Sequence, residues 1–255
     1  MNLLLLTASP KKKGGASRLF ARLLRGMLWG HRVTVCPLSG RSDFAAALAG
    51  MAQSDGVCLS FPLYVDGLPS HVIEFLTLAE GRCQEEGWSC PLYGLANNGF
   101  VEGRQNEPAL LQLQAWCQRA GLPWGGGVGI GGGTMLLALR IVFPILLAVT
   151  LAGILVSLLE SGQVPAGLWR ALAEQALIGL FLFSGALYCL GRLAGAIRRG
   201  TAAQTRYTRV MVPSFLFIPI ADLFMVLSSL FQGRLLFLLL GEDKAALFDA
   251  DHRRS

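Results

Sequence analysis

The stretch MLLALRIVFPILLAVTLAGILVSLL, Met135–Leu159, carries one charge, Arg140, in 25 residues. Its uncharged part, Ile141–Leu159, would reach ~28 Å as a helix, close to the ~30 Å hydrocarbon thickness of a bilayer. Arg140 stands where a long side chain snorkels to the headgroups. Residues 1–134 read differently, with charges at ordinary density and short apolar runs alternating with amphipathic ones. The chain is therefore expected to hold an α/β domain over 1–134, a helical membrane region over 135–240 and a polar C-terminal tail over 241–255.

Composition agrees with that division. The chain is 53% hydrophobic and only 15% charged, against about 25% charge in an average soluble domain, and the deficit falls after residue 134. The net charge of +6 fits anionic lipid better than nucleic acid, because the basic residues flank apolar spans rather than exposed aromatics. Six cysteines (Cys36, Cys58, Cys83, Cys90, Cys117, Cys189) form no CxxC and no Cys/His cluster. They read as reduced, mostly buried thiols of a cytoplasmic domain. Met1–Leu6 is too short for a signal peptide, and Lys11–Lys13 lie on its wrong side.

In the first 134 residues, strand and helix patterns alternate. Asn2–Leu6, Val33–Cys36, Gly56–Phe61, Leu92–Ala96 and Val128–Ile130 read as strands. Ser17–Trp29, Asp43–Gln53, Ser70–Ala79 and Glu107–Ala120 read as helices, the last with Pro108 in its first turn and Gly121 at its end. Such alternation implies right-handed βαβ units and a parallel sheet. Five strands suit the doubly wound order 2-1-3-4-5, whose ligands bind beyond the carboxyl ends at the switch point between strands 1 and 3. The loops after strands 1, 3 and 4 are then the candidate site.

The first of these loops, Thr7-Ala8-Ser9-Pro10-Lys11-Lys12-Lys13-Gly14-Gly15-Ala16-Ser17, resembles the phosphate loop of NADPH-dependent FMN reductases, the flavodoxin-like NAD(P)H-dependent oxidoreductases. Ser60-Phe61-Pro62-Leu63-Tyr64-Val65-Asp66-Gly67-Leu68-Pro69 is similar to that family's Ser-Pro-x-Tyr segment, and His71–Leu76 to the helix after it. Leu95–Gly103, followed by the helix of Trp116 and Cys117 and by Gly125–Gly133, is similar to one branch of the same family. The resemblance covers 1–134 and implies a flavodoxin-like sheet, FMN as cofactor, NAD(P)H as co-substrate and a homodimer. It places the phosphate on Ser9, Lys11, Gly14, Gly15, Ala16 and Ser17. It places the isoalloxazine ring between Pro62, Leu63, Tyr64 and Val65 on one side and Asn97, Asn98, Gly99, Phe100 and Gly103 on the other. The sequence departs from the family at Ala8, where a Gly is usual, and at Ala16, where a phosphate-binding Ser or Thr is usual.

The physics of the first loop agrees with a phosphate. A helix N-terminus presents unpaired N–H groups and the positive end of its dipole. Hydroxyls of Ser9 and Ser17 and the charge of Lys11–Lys13 would add to it. A bound flavin brings its own redox chemistry, so no catalytic acid or nucleophile is required. His31, His71 and His252 are scattered and form neither a triad nor a metal set. Gly127–Gly132 matches G-x-G-x-x-G but lacks the acidic residue about 20 positions on that a dinucleotide site needs. Those glycines read as the last strand and its exit.

The tail offers three candidate spans, 135–159, 175–193 and 210–231. The third contains Pro213, Pro219 and Asp222, and an acid at mid-span costs ~3 kcal/mol on insertion scales. The connector Glu160–Gln175 sums to −1 (Arg170 against Glu160 and Glu174). The segment Arg192–Arg209 sums to +5 (Arg192, Arg198, Arg199, Arg206, Arg209). Positive loops stay inside, which predicts a multi-pass protein of the cell membrane with its N-terminal domain in the cytoplasm.

The expected function is a membrane-anchored NAD(P)H oxidoreductase passing electrons through FMN to a small acceptor such as a quinone. The alternatives are a non-catalytic flavin-binding or regulatory membrane module, which the Ala8 and Ala16 departures favour, and a transport protein using Asp222. No metal and no nucleic acid is expected.

Overall fold

The structure is a computed structural model that describes residues 1–9, 15–64, 66–162 and 167–231. Parallel strands β1 (Asn2–Thr7), β2 (Arg32–Pro37), β3 (Gly56–Pro62), β4 (Leu92–Asn97) and β5 (Trp124–Gly131) pair in the order 2-1-3-4-5. Helices α1 (Ala16–Met27), α2 (Phe44–Ala52), α3 (Ser70–Glu86) and α4 (Glu107–Ala120) connect them. This is the expected doubly wound arrangement, with the switch point between β1 and β3.

The sheet has a sixth strand. β6 (Arg206–Arg209) pairs parallel to β5, with Val128 opposite Arg206 and Gly131 opposite Arg209. β5 is thus not the last strand, and Arg192–Arg209 is not a loop but a helix end followed by a strand. The glycines of β5 follow from this neighbour. A Cβ on Gly129 would lie 2.8 Å from the Tyr207 ring, and one on Gly126, where φ is +97°, would lie 2.1 Å from the Ala203 carbonyl oxygen.

Two long helices connect β5 to β6: α5 (Gly133–Ser161) and α6 (Leu168–Arg199). Both contain stretches long and apolar enough to cross a membrane, Phe143–Ser161 and Leu168–Arg199. Side chains of the α5 stretch are largely exposed, including Val149, Leu155 and Leu159. α6 divides in two. Leu177, Leu180 and Phe181 are exposed, whereas Ala186, Cys189, Leu190, Leu193, Ala194 and Ile197 are buried beside α1 and β5. The sheet's covering therefore draws on residues well beyond 134.

Alternation along the strands assigns the two faces. Leu4, Leu6, Val57, Leu59 and Phe61 join Phe44, Phe75, Leu76, Leu110 and Trp116 of α2, α3 and α4 in one cluster. Leu3, Leu5, Cys58 and Tyr93 point the other way, toward the layer of α1 and the inner half of α6.

Residues Met1–Val212 form one compact unit and Pro213–Ser255 a second. In the second, α7 (Ser214–Phe231) contains Pro219. Asp222 is exposed. The polar tail 241–255 and His252 lie outside the described residues.

Candidate functional site

At the carboxyl ends of β1, β3 and β4 the chain segments are tied together by hydrogen bonds. The Ala8 N–H donates to the Ser60 carbonyl at 2.8 Å and the Leu63 N–H to the Asn97 carbonyl at 2.7 Å. Ser9 is buried, and a Cβ on Gly15 would meet its Oγ at 2.7 Å, so the two ends of the first loop touch. Between them Pro10, Lys11, Lys12, Lys13 and Gly14 lie outside the described residues. α1 starts at an N-cap Gly15 that has no side-chain cap. The first-turn N–H groups of a helix need partners from outside it.

Ser17 is placed differently from the expectation. Its hydroxyl is buried and donates to Asn97 Oδ1 at 2.6 Å, while its carbonyl accepts from Ser60 Oγ at 3.0 Å. These contacts lock the first turn of α1 onto the ends of β3 and β4. The hydroxyl proton is committed to the scaffold, and what Ser17 and Ala16 offer a ligand is backbone.

The second loop turns tightly after Pro62 and Leu63. Tyr64 and Gly67 exchange two backbone hydrogen bonds, at 3.1 and 3.0 Å, and Asp66 takes a left-handed φ of 59° inside the turn. Asn and Asp tolerate that region better than most residues. The Tyr64 ring remains 45% exposed. Val65 lies outside the described residues.

Asn98 organises the third loop. Its N–H donates to the Ile130 carbonyl at 3.0 Å, its Nδ2 to the Glu102 carbonyl at 3.0 Å, and its Oδ1 accepts the Phe100 N–H at 3.1 Å. The loop is pinned further by Gly132 N–H to the Phe100 carbonyl and Gly133 N–H to the Asn98 carbonyl. Gly99 is exposed, and Phe100 stands 60% exposed at the tip. Gly103 faces β6, where a Cβ would fall 1.9 Å from the Thr208 carbonyl oxygen. Its smallness serves the sheet.

The site is thus a rim of backbone groups with two exposed rings, Tyr64 and Phe100, over a hydrogen-bonded floor of Ser17, Ser60, Asn97 and Asn98. All six cysteines are free. Burial pushes the Cys58 and Cys117 thiols up to about 12 and Cys83 to about 11, and raises Cys36 and Cys90. None of these five is a thiolate at neutral pH. Burial lowers His71, although a backbone hydrogen bond with Leu38 opposes this. Among the described residues no group of His, Cys, Asp and Glu could hold a metal.

Three features of the site carry no pattern in the sequence. Asn98's role depends on contacts to four different residues. Gly133 places the start of α5 directly at the site, where a Cβ would lie 2.7 Å from the Asn98 carbonyl oxygen and 3.4 Å from the Ala16 Cβ. β6 braces Gly103, and its only sequence signal is the short Tyr207-Thr208 pair between arginines.

No protein-family model and no curated protein matches the chain in sequence. Solved structures do resemble it over about half its length. An NAD(P)H:quinone oxidoreductase from Methanothermobacter marburgensis is 15% identical, covering 52% of this chain and 87% of that one, with a TM-score of 0.43. A flavodoxin, WrbA-like protein from Agrobacterium tumefaciens is 14% identical over 48% and 75%, with a TM-score of 0.42. An azoreductase from Bacillus anthracis is 15% identical over 55% and 90%, with a TM-score of 0.41.

Proposed function

We propose that this chain is a membrane-anchored flavoprotein, an NAD(P)H oxidoreductase that passes electrons from NAD(P)H through FMN to a small acceptor such as a quinone. The observation that carries the reading is the convergence at the β1/β3 switch point. There the N-terminus of α1, with Gly15 as its N-cap, meets two loops that present backbone edges and exposed aromatic rings. This arrangement fits the parts of FMN. Backbone N–H groups at Gly15, Ala16 and Ser17, at the positive end of the α1 dipole, would take the phosphate, with Ser9 beside them. Pro62, Leu63 and Tyr64 would border one side of the ring, and Asn97, Asn98, Gly99 and Phe100 the other.

FMN, when bound, would accept hydride and release electrons to an acceptor, which is chemistry the protein itself lacks. The chain's contribution is positional. The Ser60–Ser17–Asn97 hydrogen bonds fix α1 against the sheet, and Asn98 holds the third loop in one shape. Tyr64 and Phe100 supply apolar surface that limits water over the ring. No side-chain proton donor is needed.

The membrane part rests on α5 and α6. Phe143–Ser161 is 19 residues long, ~28 Å as a helix. Arg192, Arg198, Arg199, Arg206 and Arg209 lie on the sheet side of this hairpin, which by the positive-inside rule puts the domain in the cytoplasm beside its nucleotides. A homodimer is proposed on the resemblance alone.

The test is spectroscopic. The detergent-purified chain should be yellow, or become so with FMN, and its absorbance should bleach anaerobically on adding NADH or NADPH. Protein that stays colourless with excess FMN would refute the reading. Flavin retained with neither nucleotide oxidised would favour a non-catalytic module, the reading to which the committed Ser17 hydroxyl also points.

A further inference from the structure

The carboxyl edge of the sheet is where the apolar hairpin leaves and returns. β5 ends there, and α5 begins two residues later at Gly133, hydrogen-bonded to Asn98. α6 comes back to the same edge. The Leu182 carbonyl accepts the Met211 N–H at 2.9 Å, and Gly185 stands against Thr208, one residue from the end of β6. From Ala186 the helix runs down the sheet to its amino edge. Here the Thr201 carbonyl accepts from the Tyr93 hydroxyl, the Ala203 N–H donates to the Gly125 carbonyl, and Arg198 lies 4.7 Å over the Trp29 ring.

α6 is one continuous helix, so the half that precedes Ala186 must project past the carboxyl edge, away from the sheet. That half, Leu168–Gly185, is ~27 Å long, matching the ~28 Å of Phe143–Ser161. The two run side by side. Gln175 Nε2 donates to Thr150 Oγ1 at 2.9 Å, and Gly179 leaves room for the Phe143 ring. Their outer surface is Leu147, Val149, Leu155, Leu177, Leu180 and Phe181, all exposed. Apolar surface of this length and extent matches the thickness of bilayer hydrocarbon. Ile141, where the uncharged stretch of α5 starts, is only ~12 Å along the helix from Gly133.

We propose that the carboxyl edge of the sheet is the domain's membrane-facing surface. The mouth of the crevice then opens on lipid rather than on bulk water, with Tyr64 and Phe100 seated in the headgroup layer. This rests on the membrane reading above but goes beyond it, since an anchor on the amino edge or on a flank would leave the crevice in water. The two rings suit that layer, where aromatic side chains gather. Amino-edge residues such as Trp29, 70% exposed, face the opposite way. An acceptor dissolved in the bilayer would meet the crevice without crossing water, whereas a strongly polar one would approach only from the sides.

The test uses the full chain reconstituted in phosphatidylcholine/phosphatidylglycerol vesicles. Phe100→benzoylphenylalanine and, separately, Tyr64→benzoylphenylalanine are irradiated beside Trp29→benzoylphenylalanine, and each product is weighed by mass spectrometry. Lipid adducts several-fold more abundant at positions 100 and 64 than at 29 are expected. Equal yields at all three, or adducts at 100 and 64 only to a second copy of the chain, would overturn the proposal. Alkaline carbonate extraction of the same vesicles separates the two claims. A chain that stays in the pellet without lipid adducts keeps its anchor and loses this orientation, while a chain that washes off loses both.

Discussion

The two halves of α6 look alike in sequence and live in different surroundings. Leu180 and Phe181 are 58% and 61% exposed, while Leu190 and Leu193 are 0% and 1% exposed. The span expected from sequence, 175–193, runs into both halves, yet only the outer one faces away from protein. The inner one is the second helix on the α1 side of the sheet. Hydropathy reports that a face must leave water and is silent on what it meets, lipid or a sheet.

The largest test of that contrast is a pair of shortened chains. A chain ending at Gly133 lacks β6 and the inner half of α6, leaving the α1-side face of β4 and β5 uncovered. It should aggregate or remain unfolded by circular dichroism. A chain with Phe143–Leu182 replaced by a flexible Gly/Ser linker keeps both elements and should fold and stay in solution without detergent. The reverse pattern would place the inner half outside the sheet's core.

Next come single substitutions within α6. Leu190→Ala should cost ~3 kcal/mol in denaturant unfolding, as buried leucines do, whereas Leu180→Ala should change stability by less than ~0.5 kcal/mol. Equal effects would mean the two halves share one environment. Of similar size to the first is Gly103→Ala, which drives a methyl into the Thr208 carbonyl and should cost ~1–3 kcal/mol together with loss of FMN affinity as the third loop shifts.

A smaller effect is expected at Ser17→Ala. Removing the hydroxyl that Asn97 holds should cost ~1–2 kcal/mol and change FMN affinity little. A large affinity loss with unchanged stability would show that the hydroxyl serves the phosphate instead. Smallest at neutral pH is the thiol effect. Cys58 and Cys117 are raised to about 12 in the fold against an ordinary 9.0. The unfolded chain therefore loses their protons first as pH rises, so stability should hold below pH 9 and fall between 9 and 12. Urea midpoints against pH would check this, with Cys58→Ala and Cys117→Ala flattening the decline.

Most of the α/β framework was legible because period decides it. β1, β3 and β4 are continuous apolar runs, and α1 and α4 carry helical spacing with clear ends. α3 runs on to Glu86, beyond the expected Ala79, because nothing stops it before Gly87, whose φ of 65° closes the helix. β5 starts at Trp124 rather than Val128, because glycines hide a strand from any apolar pattern. β6 was lost for a different reason: four residues flanked by arginines carry too little period to separate a strand from a charged loop. The site was legible as three loops but not as a network. Ser17 and Asn97 lie 80 residues apart, and only the fold shows that one hydroxyl serves the other's amide.

The most direct measurement of the central claim is an equilibrium titration of the full chain in detergent with FMN, followed by flavin fluorescence. One flavin should bind per chain with its fluorescence quenched between Tyr64 and Phe100, and Phe100→Ala should relieve part of that quenching. Flavin fluorescence that stays unchanged at every protein concentration would contradict the account.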